Sequence, residues 1–73
     1  MKWTREVLEQ YIGINIDVMV PHTQEEINIL GSHKTEMGGV VLEILEPSPV
    51  YYEILFDYGY SVLMRDNATL EVS

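Results

Sequence analysis

The sequence predicts a mainly β fold: five short antiparallel strands rolled into a small barrel, with one short N-terminal α-helix. Three observations carry that reading. After Gly13, apolar and polar residues alternate in successive runs, the period of a strand with one buried face. Turn-forming residues separate the runs, at Pro47-Ser48-Pro49, Asp57-Tyr58-Gly59 and Asp66-Asn67-Ala68. Helical spacing of apolar residues is confined to Trp3–Ile12.

The helix is expected over residues 3–12. Thr4 is a suitable N-cap, Glu6 sits in the favourable first turn, and Trp3 with Leu8 form a hydrophobic staple. Val7, Leu8, Tyr11 and Ile12 share a face, and Gly13 stops the helix. So short a helix cannot hold alone in water and must dock. The β-barrel is expected over residues 14–73. In the first strand Ile14, Ile16, Val18 and Val20 face inward while Asn15, Asp17 and Met19 face out, and Pro21 ends the run. Residues 22–37 carry no clear pattern; either a helical turn starting at Thr23 or an irregular loop fits them.

Gly38-Gly39 opens the second strand, with Val40, Leu42 and Ile44 inside and Val41, Glu43 and Leu45 outside. Tyr52, Ile54 and Phe56 then continue the inner set, followed by Tyr60, Val62, Met64, Leu70 and Val72. A turn centred on Ser48 would pair Ile44 with Tyr52 and Leu42 with Ile54. It would also set Val41 opposite Leu55 and Glu43 opposite Glu53. The glycine turn would pair Phe56 with Tyr60 and Ile54 with Val62.

Composition limits the function classes. Seventy-three residues form a single domain, 1–73, and a chain this short buries only about 60% of its unfolded surface. With no cysteine there is no disulfide and no thiolate metal site, which fits a cytoplasmic location. No apolar run approaches the ~20 residues of a membrane span, and the N-terminus lacks a signal-peptide pattern. Twelve acidic residues against four basic ones give a net charge of −8. The cations Lys2, Arg5, Lys34 and Arg65 are scattered, which disfavours direct nucleic-acid or membrane binding and favours a basic protein partner.

The order of short strands resembles the SH3-like small β-barrels, the KOW- and Tudor-like superfold. The long first loop, the Gly-Gly step, the aspartate-glycine hairpin and the tight turn before the last strand share in that likeness. The resemblance spans about Ile14 to Val72 and implies fold only, since such barrels host many unrelated functions.

The candidate partner-binding residues are Val41, Glu43, Leu45, Tyr51, Glu53, Leu55, Asp57, Tyr58 and Leu63. Four are apolar residues expected on the outer face, and an apolar patch there marks a covered surface. Either the N-terminal helix lies across it or another protein does. Glu43 and Glu53, expected face to face, repel each other unless a cation arrives or both splay into water with Arg65 nearby. Tyr51 and Tyr58 beside acidic residues suit a protein interface. His22 with Glu25, and His33 with Glu36, share a spacing that on a helix could supply metal ligands, although polar loops carry the same residues. No nucleophile or pocket accompanies any carboxylate pair, so no enzyme and no cofactor are expected.

The expected function is a small acidic protein-interaction module. Its concrete form is an inhibitor of a basic, nucleic-acid-binding protein, of the kind phages and mobile elements encode. Two alternatives stay open: a structural homo-oligomer or assembly subunit, and a metal- or small-ligand-binding protein using the His22–Glu36 loop.

Overall fold

The computed structural model describes residues 3–73. They form α1 (Arg5–Glu9), β1 (Asn15–Pro21), α2 (Gln24–Leu30), β2 (Lys34–Ser48), β3 (Tyr51–Phe56), β4 (Ser61–Leu63) and β5 (Thr69–Val72). All five strands are antiparallel and make one sheet in the order β4-β3-β2-β1-β5. The mainly β fold read from the sequence is the fold observed.

The long β2 joins the two halves of the sheet. Its first part pairs with β1 and its last part with β3. The sheet coils over one core, where Ile16, Val18 and Val20 of β1 meet Ile44, Ile54, Phe56 and Val62 of the other half. Burying each such side chain contributes roughly 1.5–3 kcal/mol.

Helix α1 is shorter than the predicted span of residues 3–12. Thr4 caps it as expected, its hydroxyl accepting from the Val7 amide at 3.2 Å. Trp3 and Leu8 are buried in the core, and the Trp3 indole N–H donates to the Arg65 carbonyl at 3.1 Å. The helix therefore docks into the core rather than across the outer face of the sheet, and Val7 stays partly exposed.

The unassigned stretch contains a second helix. Thr23 and Glu26 form a reciprocal capping box at the start of α2, and Gly31 ends it in the left-handed region. None of its residues is fully buried; Ile29 is 80% exposed and Leu30 61%. The second strand begins at Lys34, so Gly38 and Gly39 lie inside it, opposite Asp17 and Ile16, instead of opening it.

The predicted phase of β2 fails at one point. Val41 pairs with Phe56 and Glu43 with Leu55, which leaves Leu42 as the extra residue of a β-bulge. The bulge swaps inside and outside: Val41 is 1% exposed and Leu42 57%. The expected pairing of Val41 with Leu55 and of Glu43 with Glu53 is corrected accordingly; Glu53 stands opposite Leu45. A further irregularity between Leu45 and Ser48 places the two-residue turn at Pro49-Val50. The physical cause is curvature, because a strand that serves both halves of a coiled sheet must bend.

Other inner-face assignments change at chain ends and turns. Ile14 precedes β1 and is 37% exposed, while Tyr60 and Val72 are exposed. The glycine hairpin matches its prediction, with the Phe56 amide donating to the Tyr60 carbonyl at 2.8 Å and Ile54 opposite Val62.

Candidate interaction surface

The outer face of β2, β3 and β4 is built by alternation. Because Ile44, Ile54 and Val62 point into the core, their neighbours point away. Across the strands one row reads Leu45, Glu53, Leu63 and the next reads Glu43, Leu55, Ser61. Leu55 thus lies diagonal to both Leu45 and Leu63, within reach of each. All three leucines are half-buried, while Glu43 and Tyr51 are exposed on the same face. The Ser61 hydroxyl donates to Glu53 Oε1 at 2.9 Å and fixes that carboxylate beside the leucines.

Six predicted contact residues therefore come together: Glu43, Leu45, Tyr51, Glu53, Leu55 and Leu63. Val41 does not join them, since it is in the core. Asp57 and Tyr58 sit on the β3–β4 hairpin instead. Tyr58 folds back over β2, donating to the Gly38 carbonyl at 2.9 Å and stacking on Phe56 with centroids 5.6 Å apart. It works as a cover for the core end while remaining half exposed.

The cations explain why this face is electrostatically unbalanced. Arg5 pairs with Glu46 at 2.9 Å and with Glu9 at 3.8 Å, and Lys34 pairs with Glu36 at 2.8 Å. Arg65 does not screen Glu53; it grips Glu26 through both guanidinium nitrogens at 2.6 Å. Lys2 lies outside the described residues. Among the described residues, no cation pairs with Glu43 or Glu53. The Arg65 guanidinium, helped by the Thr23 amide, holds the Glu26 carboxyl at about 2, well below the usual range. Hydrogen bonding to Glu46 raises Arg5 above its ordinary value, so it remains cationic.

The histidine segments are not gathered into a centre. The His22 ring lies between the Ser32 carbonyl, 2.9 Å from Nδ1, and the Thr35 hydroxyl, 2.6 Å from Nε2. Glu25 is in the first turn of α2, while His33 precedes β2 and Glu36 is held by Lys34. Among the described residues no group of three or more His, Asp or Glu side chains could hold a metal ion.

Sequence reasoning missed a cleft of about 250 Å³ between α2 and β4, with Val20, Leu30, Met37 and Leu63 among its lining. The Thr23-x-x-Glu26 box was the signal that could have placed its helical wall. No helix among the described residues is long and apolar enough to cross a membrane.

No family model, curated protein or solved structure matches this chain.

Proposed function

We propose that this chain is a small, acidic, non-enzymatic protein-interaction module that binds a basic protein through the outer face of β2, β3 and β4. The observation that carries this reading is the alternation of Leu45, Leu55 and Leu63 with Glu43 and Glu53, carboxylates that no cation of the described chain neutralises. Apolar side chains supply desolvation at the centre of such a contact, and flanking carboxylates steer and orient a cationic partner. The net charge of −8 favours the same partner at long range. The strand order, with β1 between β2 and β5, supports the SH3-like resemblance as the scaffold for this face. Inhibition of a nucleic-acid-binding protein is the concrete form, because a surface built from Lys and Arg to neutralise phosphates is complementary to this charge pattern.

Affinity capture with immobilised chain tests the reading. A basic partner should be retained at low salt, released at about 0.5 M salt, and lost with Leu55→Lys once denaturant unfolding has shown that the variant is as stable as the parent. Retention of only neutral or acidic proteins, or retention indifferent to salt, overturns it.

A further inference from the structure

We infer that the cleft between α2 and β4 accepts an extended, cationic segment of another protein as an added strand on the open edge of β4. The inference rests on the reading of the chain as an acidic interaction module and gives that module a binding mode. Its first support is the main chain. The Phe56 amide donates to the Tyr60 carbonyl and the Met64 amide to the Tyr52 carbonyl. In an antiparallel ladder this sets residues 60, 62 and 64 as those bonded to β3. Ser61 and Leu63 therefore turn their N–H and C=O groups to the other side, where β4 has no neighbouring strand among the described residues. Such an edge is a template for strand addition.

The second support is what the edge faces. It opens onto the cleft of about 250 Å³, with Val20 and Met37 on one wall and Leu30 of α2 on another. Helix α2 has no buried residue, and its Leu30 is 61% exposed, so apolar surface is present there without a cover. Val62 points inward between Ser61 and Leu63, so a strand laid along β4 would send the residue beside Val62 into the cleft. The residues on either side of it would emerge on the outer face. There Glu53 stands opposite Leu63, held by Ser61 but by no cation among the described residues. Arg65 also lines the cleft, but Glu26 already neutralises it.

The occupant is thus an alternating segment, apolar toward the cleft and Lys or Arg toward Glu53. A second copy of this chain is disfavoured by its own charge of −8.

A synthetic peptide of alternating lysine and valine tests the inference, read by NMR on the intact protein, with an alternating glutamate–valine peptide as control. The lysine peptide should slow amide exchange at Ser61 and Leu63 by about tenfold or more. Ser61→Pro removes an outward N–H at an edge position where proline is tolerated, and should weaken binding about tenfold. Exchange in the unsubstituted protein keeps the test valid if that variant unfolds. Shifts confined to Leu45 and Leu55, with Ser61 and Leu63 still exchanging freely, overturn strand addition but leave the outer-face reading standing. Equal binding of the glutamate peptide, or no shift at either place, overturns both. Protection of Ser61 that rises with protein concentration alone identifies a second copy as the occupant and overturns the inference.

Discussion

Arg65, just beyond β4, grips Glu26 of α2 through two hydrogen bonds of 2.6 Å, while the Thr23 amide donates to the same carboxylate at 2.9 Å. One side chain thus closes the capping box of α2 and fastens that helix to the far end of the sheet. Since α2 buries no residue of its own, this clamp and the cap carry much of its attachment.

The clamp makes α2 sensitive to acid. Glu26 titrates at about 2 in the folded chain against an ordinary 4.5. A depressed carboxyl contributes stability above its unfolded pKa and loses it as pH falls toward the folded one. Its contribution is present above about pH 5 and disappears between there and pH 2. Both partners are about one-third exposed, so solvent screening keeps the effect small. Thermal unfolding of Glu26→Gln and parent protein should differ most near neutral pH and converge near pH 2. A gap that stays constant across that range would show that the ion pair contributes nothing.

The bulge at Leu42 predicts opposite outcomes for adjacent substitutions. Val41→Lys forces an amine into a site 1% exposed and should destabilise by about 3 kcal/mol or more. Leu42→Lys places the same amine where the parent side chain is 57% exposed and should stay within about 0.5 kcal/mol. Urea unfolding of the two variants decides the phase; equal losses would place both residues on one side.

These two residues also show where the sequence stopped being informative. Val40, Val41 and Leu42 are all apolar, so either phase of the strand satisfies burial, and only the bend of β2 selects one. Beyond the bulge the alternation resumes in the predicted phase, which is why Leu45, Leu55 and Leu63 share the expected face. The β3–β4 register was legible because a three-residue glycine turn fixes it locally. Helix α2 was not, because its cap is clear but its apolar residues line no buried stripe. Tyr60 alternates like a core residue yet sits at the mouth of the hairpin, where no opposing layer covers it.

Gly39 is required by both backbone and space. Its φ is 155°, and a Cβ there would lie 2.6 Å from Tyr58 Cε1 and 3.3 Å from Phe56 Cδ1. Tyr58 cannot easily yield, being stacked on Phe56 and bonded to the Gly38 carbonyl. Gly39→Ala should therefore destabilise by more than about 1 kcal/mol. In a Tyr58→Ala background the tightest contact is relieved, and the backbone part and the 3.3 Å approach to Phe56 Cδ1 remain. A double-mutant cycle from denaturant unfolding should return a smaller loss there; strict additivity would mean the ring and the glycine are independent.

Helix α1 should behave as part of the core. Leu8 is fully buried among residues of the sheet, and Trp3 is buried beside it with its indole bonded to Arg65. Leu8→Ala leaves a cavity that so small a core cannot readily collapse, and should lower stability by about 2–5 kcal/mol. The same change at Val7, which is 37% exposed, removes little buried surface and should fall below about 1 kcal/mol. Denaturant midpoints for the two variants distinguish a helix that plugs the core from one that merely rests on it. If Leu8→Ala behaves like Val7→Ala, the helix adds nothing to the core and the sheet is stable without it.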